Sequence, residues 1–134
     1  MPYAKPIPAI TPEMKPFFEG AKRHELRVQE CAGCGARRFP ARPVCSTCLS
    51  FAARWVRASG RGEVFSFTVM HRVYHPGFAA EVPYAVVLVQ LAEGPKMTSN
   101  LLGVEPRAIR VGMPVRVVFD DITAEVTLPR FVPE

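Results

Sequence analysis

The residues in this sequence best suited to chemistry are four cysteines arranged as two close pairs. Each pair has the form Cys-x2-Cys, and ten residues separate the pair Cys31 and Cys34 from the pair Cys45 and Cys48. Two such pairs place thiolates on two tight turns that converge on one ion. The spacing therefore predicts a tetrahedral metal site in a zinc ribbon. Zinc suits four thiolates, and iron is an alternative because the ligand type alone does not separate these metals. Disulfides or metal-free thiols are the less favoured interpretations of the same spacing.

Four protein ligands fill the coordination shell of such an ion, which leaves no position for water or substrate. We therefore expect a structural metal rather than a Lewis-acid catalyst. A ribbon this short has too small a core to fold unaided, so metal binding should be coupled to its folding. Gly35 supports the first turn because glycine adopts a positive φ freely. Leu49 stands at the equivalent place after Cys48, which predicts a looser or differently shaped second turn.

The other residues that commonly act in catalysis do not form a set in this sequence. His71 and His75 fall at and just past the end of a predicted strand, where histidines are usually ordinary surface or half-buried residues. No nucleophile, base and orienting group stand out together. No glycine-rich phosphate loop follows a strand and opens a helix, which excludes nucleotide binding of the Rossmann or P-loop type. We expect no catalytic residue.

Arginines are concentrated in and near the cysteine segment. They are Arg37, Arg38, Arg42, Arg54, Arg57, Arg61 and, further along, Arg72. A solvated basic face is the commoner arrangement of surface arginines. The functional interpretation is a phosphate-binding patch, because guanidinium groups bind phosphates bidentately. Phe65 and Phe67 offer stacking platforms for single-stranded nucleic acid. Their i and i+2 spacing nevertheless favours the core face of a strand.

Composition limits the class of protein. The chain has 134 residues, is 49% hydrophobic and 22% charged, and carries a formal net charge of +5, which suits an anionic partner. No apolar run approaches the roughly 18 residues that a membrane span needs. The proline-rich N-terminus lacks the features of a secretory signal, so we expect a cytoplasmic protein with reduced cysteines and no membrane association.

The pattern of apolar and turn residues predicts a mainly β protein in three parts. These are an N-terminal helical segment (1–24), the ribbon (25–58) and a barrel domain (59–134). A capping signal predicts a helix over Thr11–Ala21, with Pro16 limiting its regularity. Strands are predicted at Glu25–Gln29, Val64–Val73, Tyr84–Leu91, Lys96–Leu102, Val115–Asp120 and Ala124–Leu128. The last five, with a helical turn over Pro106–Arg110, match the strand count of an OB-fold.

The order of several motifs resembles that of a known family. Phe17-Phe18-Glu19 precedes the cysteines, and Phe39-Pro40-Ala41-Arg42 lies between the two pairs. The stretch from Ser59 to Val69, then Pro83-Tyr84, then Pro129-Arg130-Phe131 complete the series. Together with the cysteine spacing, these motifs resemble the zinc-ribbon plus OB-fold family of acyl-CoA-associated proteins over nearly the full chain.

The resemblance implies a rubredoxin-like ribbon with zinc on Cys31, Cys34, Cys45 and Cys48, followed by a C-terminal OB-fold. Members of the family look like non-catalytic companions of thiolase-type enzymes or of hot-dog-fold enoyl-CoA hydratases. The family usually has Phe-Trp where Phe17-Phe18 stands here and glycine where Glu25 stands. The first change keeps an aromatic wall. The second affects the turn between helix and ribbon.

The leading hypothesis is an accessory subunit that binds acyl-CoA, a thiolase-like or hydratase partner, or both, in lipid, polyketide or steroid metabolism. The residues expected to contact acyl-CoA or the partner are Phe17, Phe18, Arg37, Arg38, Arg42 and Arg72. The alternative ranked below it is a single-stranded nucleic-acid binder, because ribbons and OB-folds both occur in such proteins. An enzyme that acts on acyl-CoA by itself ranks third.

Overall fold

The computed structural model describes residues 3–134, and its first regular element is the helix α1, Lys15–Lys22. The helix begins later than predicted. Thr11 opens a turn in which its backbone and side-chain oxygens both accept from the N–H of Met14, at 3.1 and 3.3 Å. Pro16 consequently lies at the very start of the helix, where its missing N–H costs nothing, and does not kink it.

The ribbon contains a three-stranded antiparallel sheet in the order β2-β1-β3. Its strands are β1 (Arg27–Cys31), β2 (Arg37–Arg38) and β3 (Ala53–Arg57). The first strand starts two residues after its predicted position at Glu25. The reason is local, because the N–H of Glu25 donates to the carbonyl of Gly20 at 2.8 Å and still belongs to the end of α1.

Five strands form a closed barrel in the order β4-β5-β6-β8-β7, which confirms the predicted five-stranded OB-fold. They are β4 (Arg61–Met70), β5 (Tyr84–Leu91), β6 (Lys96–Leu101), β7 (Pro114–Asp121) and β8 (Thr127–Pro133). Single turns of 3-10 helix occur at Pro76–Phe78 and Pro106–Ala108. Among the described residues, no helix is long and apolar enough to cross a membrane.

The first and last barrel strands are shifted from their predicted positions. Strand β4 begins at Arg61, before its predicted start at Val64, because Arg61 pairs with Arg116 of β7. Gly60, at φ +83°, lies where a Cβ would come within 2.4 Å of the Val117 side chain. The last strand begins at Thr127 because the N–H groups of Ile122 and Thr123 both donate to the carbonyl of Val126, which makes that stretch a turn.

A β-bulge changes the predicted role of Phe65. The pairing of β4 with β5 shifts register between Val64 and Ser66, so Phe65 has no partner in the register. Its side chain is 48% exposed and lies under the ammonium of Lys96, which is 4.1 Å from the ring centroid. The core-face prediction is wrong for Phe65, because the bulge breaks the two-residue alternation on which it depended. Phe67 is half-buried and packs against the core.

One hydrophobic core joins the three parts of the chain. Phe17 of the helix and Leu26 and Val28 of the ribbon are buried with barrel residues such as Val87 and Phe131. A polar contact reinforces this junction at the surface, where Nε2 of His24 lies 3.1 Å from a carboxylate oxygen of Asp121. Hydrogen bonds from Thr127 and then His24 hold the pKa of Asp121 below its usual value. The ribbon and the helix are therefore docked on the barrel.

Candidate metal centre and its surroundings

The four cysteine sulfurs converge at one end of the ribbon, where Cys31 ends β1 and the other three lie in loops. The Sγ atoms of Cys31 and Cys48 are 3.5 Å apart, and those of Cys34 and Cys45 are 3.7 Å apart. All four ligand atoms lie within 4.8 Å of one another. Bonds of about 2.3 Å to a tetrahedral zinc ion put sulfurs roughly 3.8 Å apart. The four cysteines therefore form a metal-binding site of the zinc-ribbon type.

Backbone N–H groups of the first turn already favour the thiolate form. Those of Gly33 and Cys34 donate to Sγ of Cys31 at 3.3 and 3.4 Å. The bond from Cys34, and then that from Gly33, lower the pKa of Cys31 to about 6 against the opposing effect of burial. The turn is closed by the N–H of Gly35, which donates to the carbonyl of Cys31 at 2.9 Å with φ +80° at the glycine.

The second turn repeats the first, which corrects the prediction of a looser or different shape. The N–H of Thr47 donates to Sγ of Cys45 at 3.4 Å, and the N–H of Leu49 donates to the carbonyl of Cys45 at 2.9 Å. To do so, Leu49 adopts φ +64°, a conformation usually left to glycine. Leucine therefore forms the same turn as Gly35 forms on the other side, with backbone strain that glycine would avoid.

Without a cation, the four sulfur atoms do not all ionise together. The N–H of Ser50 lowers the pKa of Cys48, but hydrogen bonds with Cys31 and Cys34 outweigh it and raise that pKa to about 12. At neutral pH Cys48 thus holds its proton, whereas Cys31 has already lost most of its own. A bound divalent metal would stabilise all four thiolates and displace the remaining protons.

Most of the predicted arginine cluster forms ion pairs within the fold. Glu30, only 8% exposed, accepts from Nε of Arg37 at 3.0 Å and from Nε of Arg54 at 2.7 Å. These two bonds lower the pKa of Glu30, with the one from Arg37 the larger effect. Arg57 and Arg61 lie 3.9 and 3.2 Å from carboxylate oxygens of Glu25 and Glu134. Glu30 thus holds Arg37 and Arg54 within the ribbon, whereas the pairs of the exposed Arg57 and Arg61 contribute little because solvent screens them.

Arg38, which stands beside Arg37 on β2, has a different environment. Its Nε donates to the amide oxygen of Gln29 at 2.6 Å, and its Nη2 donates to the carbonyl of Arg42 at 3.0 Å. Its Nη1 is buried and has no hydrogen-bond partner. Among the described residues, no carboxylate pairs with Arg38 or with Arg42. Arg38 is therefore a half-buried cation with an unused donor.

The remaining predicted contact residues are dispersed. Phe17 is 4% exposed and lies in the core, with ring centroids 5.2 Å from Phe18 and 5.0 Å from Phe39. Phe18 is half-buried and borders two shallow clefts, of about 310 and 240 Å³. Arg72 lies in the loop after β4, where its guanidinium stacks on the Tyr74 ring at 5.1 Å. The structure thus brings the four cysteines together but does not gather the six predicted contact residues into one pocket.

The two histidines considered for catalysis have no base-like setting in the described part of the chain. Nδ1 of His75 accepts from the N–H of Gly77 at 3.0 Å and caps a turn of 3-10 helix. His71 is exposed and borders an open cleft of about 660 Å³ together with Glu105 and Arg107. Neither is hydrogen-bonded to a nucleophile or to an acidic orienting group.

Sequence reasoning missed two kinds of residue near the metal centre. Gln29 is 8% exposed and accepts from both Arg38 and the N–H of Arg42, at 2.6 and 2.9 Å. The sequence pattern predicts no surface role for Leu49 and Phe51, yet they are 71% and 78% exposed. The available signal was the stretch of residues 44–53, which contains no charge and no periodic pattern.

Comparison with known proteins gives matches along most of the chain. Residues 18–53 match the ChsH2 rubredoxin-like zinc ribbon domain, and residues 55–120 match the ChsH2 C-terminal OB-fold domain. A chain of the solved structure described as "Ltp2-ChsH2(DUF35) aldolase" has 42% identity and a TM-score of 0.85. That match covers 95% of this chain and 98% of the other.

Two curated relatives extend the comparison. A probable enoyl-CoA hydratase alpha subunit of Thermomonospora curvata is 43% identical over 96% of this chain, which spans only 40% of that protein. A DUF35 domain-containing scaffold protein of Methanocaldococcus jannaschii is 31% identical over 73% of this chain and 70% of its own length. The likeness is therefore to a domain of the first protein and to most of the second.

The strain at Leu49 leads to a testable prediction. Replacing Leu49 by glycine should stabilise the metal-loaded ribbon by about 1 kcal/mol, because the left-handed conformation costs an L-residue about that much. The measurement is thermal unfolding at fixed metal concentration, with metal affinity measured by chelator competition. The matched control is Leu49→Ala, which also removes the exposed side chain but keeps the Cβ and hence the strain. Equal or lower stability of Leu49→Gly relative to Leu49→Ala would contradict the prediction.

Proposed function

The chain belongs to the ChsH2 (DUF35) family of proteins with a rubredoxin-like zinc ribbon and an OB-fold, and on that premise we propose a non-catalytic accessory subunit. In this proposal it docks on a partner enzyme of acyl-CoA metabolism, in lipid, polyketide or steroid pathways of the cytoplasm. The partner is thiolase-like or an enoyl-CoA hydratase, and acyl-CoA is a ligand of the complex.

The observation that carries the proposal is the nearly complete match to a chain of an assembly described as an Ltp2-ChsH2(DUF35) aldolase. The similarity covers 95% of this chain and therefore extends over the helix, the ribbon and the barrel. The hydratase alpha subunit matches over only 40% of its length, so that likeness alone does not bring a hydratase activity to this chain. The aldolase assembly is therefore a better guide than the hydratase to the type of partner that this chain binds.

Three features favour an accessory role over catalysis. The archaeal relative of similar length is named a scaffold protein. The four thiolates of the metal centre leave no open coordination position once an ion is bound. His75 and His24, which offer imidazoles for proton transfer, are hydrogen-bonded to Gly77 and Asp121 in structural roles.

We propose zinc as the metal, held by Cys31, Cys34, Cys45 and Cys48, in keeping with the zinc ribbon domain that residues 18–53 match. The ion would supply a fixed positive charge that allows the four thiolates to coexist and would take no part in a reaction. Iron has the same preference for thiolates, so metal analysis of the purified protein decides between them.

Charge supports an anionic ligand near the ribbon. Residues 25–58 carry six arginines and two glutamates, whereas the barrel residues 59–134 have slightly more acids than bases. Within the predicted arginine cluster, Arg38, Arg42 and Arg72 form no ion pair with a carboxylate of the described residues. We propose that Arg38 and Arg42 contact phosphate groups of acyl-CoA and that the half-buried Phe18 borders the acyl chain. Phe17 and Arg37 would then act indirectly, through packing and through Glu30.

The first test is assembly with a partner enzyme. We expect sedimentation velocity to show a complex when the metal-loaded chain is mixed with the Ltp2 subunit of the aldolase, because the matched chain of that assembly has the same fold. The chain alone should show no turnover of acyl-CoA. A chain that does not associate with Ltp2, or that turns over acyl-CoA by itself, would overturn the proposed accessory role.

The second test concerns the ligand. In calorimetric titration with a series of acyl-CoAs, Arg38→Ala should weaken binding by about tenfold, the loss expected when a charge-assisted hydrogen bond of roughly 1.4 kcal/mol is removed. Arg116→Ala is a control, since Arg116 is an exposed arginine of the barrel. Equal losses in both variants would point to nonspecific charge. Salt-sensitive binding of a single-stranded oligonucleotide, with no response to acyl-CoA, would instead support the nucleic-acid alternative.

A further inference from the structure

The end of the ribbon that carries the metal centre has an unusually exposed apolar surface. We call it the knuckle tip and define it as residues 31–36 and 44–53. Leu49 and Phe51 of the knuckle tip are 71% and 78% exposed, more than any other large apolar side chain among residues 3–134. Large apolar side chains that are exposed two residues apart in an ordered loop are typical of interaction sites rather than of a solvated surface.

The backbone at Leu49 gives a second, independent indication. The equivalent residue of the first turn is Gly35, which adopts φ +80° without strain. Leucine at φ +64° forms the same hydrogen bond, so neither the metal site nor the core explains its side chain. The chain thus accepts backbone strain and an exposed hydrophobic group at one position. Strain of this kind is commonly stored at functional surfaces.

The charges around the knuckle tip indicate what kind of surface it fits. The tip itself contains no charged side chain besides the cysteines. Arg37 and Arg54 follow directly in sequence, and together with the single carboxylate of Glu30 they leave a net positive rim. An apolar centre with a charged rim is the usual anatomy of a protein interface. The complementary surface is an apolar pocket bordered by acidic side chains.

Backbone hydrogen bonds hold the knuckle tip in a defined shape. The N–H groups of Gly33, Cys34 and Thr47 bond to cysteine sulfurs, and those of Gly35 and Leu49 close the two turns. A bound ion would fix the two turns relative to each other. A side chain presented on such a frame loses little conformational freedom on binding, which favours affinity. Leu49 and Phe51 are therefore suited to act as anchors.

From these observations we infer that the knuckle tip inserts Leu49 and Phe51 into an apolar, acid-bordered pocket of the partner acyl-CoA enzyme. The inference rests on the proposed function, because it supposes that a partner enzyme exists. A second copy of this chain is a poorer occupant, since its positive rim would face an identical positive rim. The inference assigns the contact to the ribbon end and not to the exposed Val73 and Tyr74 of the loop after β4.

The test is calorimetric titration of the Ltp2 subunit with metal-loaded variants of this chain. Leu49→Gly and Phe51→Ser should each weaken binding by about tenfold, as expected for central apolar anchors. Val111→Ser is the matched control, because Val111 is 68% exposed but lies in the turn before β7 of the barrel. Cobalt substitution reports whether each variant retains its tetrathiolate site.

Leu49→Gly makes the test specific, since the strain argument predicts a more stable ribbon while the inference predicts weaker binding. Opposite changes in stability and affinity cannot arise from damage to the fold. If the unmodified chain binds Ltp2 and both knuckle variants bind equally well, the inference is wrong and the accessory role stands. If the unmodified chain does not bind, the premise fails and the inference fails with it. Sedimentation of this chain alone detects self-association, which, if lost in Leu49→Gly, would also overturn the inference.

Discussion

The convergence of four thiols on one point is the constraint on which the ribbon depends. Sulfur atoms as close as 3.5 Å cannot all carry negative charge unless a cation lies among them. The peptide groups of the two turns reduce this cost by donating hydrogen bonds to Cys31 and Cys45. A metal ion would remove the remaining cost and would connect the end of β1 to the loops that carry the other three cysteines. Four protein ligands would fill the coordination shell of such an ion and would leave no position for a substrate.

Strand β1 connects the metal centre to the core of the protein. Cys31 ends this strand, while Val28 in its middle is fully buried in the core that the ribbon shares with the barrel. Across the sheet, Glu30 holds Arg37 of β2 and Arg54 of β3, so one carboxylate fastens all three strands. The arginines of the ribbon therefore fall into two groups. Arg37 and Arg54 hold the sheet together, whereas Arg38 forms no ion pair with a carboxylate of the described residues.

The parts of the structure that could be predicted from sequence are those coded by local spacing. Two Cys-x2-Cys pairs identify the metal site, and short apolar runs between turn residues identify five barrel strands. The features that escaped prediction depend on contacts distant in sequence. The ion pair between Glu30 and Arg54 spans 24 residues, and the bulge at Phe65 appears only when β4 pairs with β5.

Leu49 is the most instructive case, because residue type suggested a different turn. The surrounding hydrogen bonds impose the glycine-like conformation on it, so the geometry of the metal site overrides local preference. Leu49 is also exposed, although an apolar residue in a sequence suggests a buried side chain. A leucine that is both strained and exposed brings no benefit to the fold. Its simplest explanation is a contact with another molecule.

The central claim is that a structural metal creates the surface with which this protein docks. It is tested most directly by comparing metal-loaded and chelator-stripped protein in binding to the Ltp2 subunit, while fluorescence of Trp55, the single tryptophan, reports on β3 of the ribbon. The account predicts that removal of the metal shifts Trp55 emission to the red and abolishes binding, and that zinc restores both. Stripped protein with unchanged emission and undiminished affinity would contradict it.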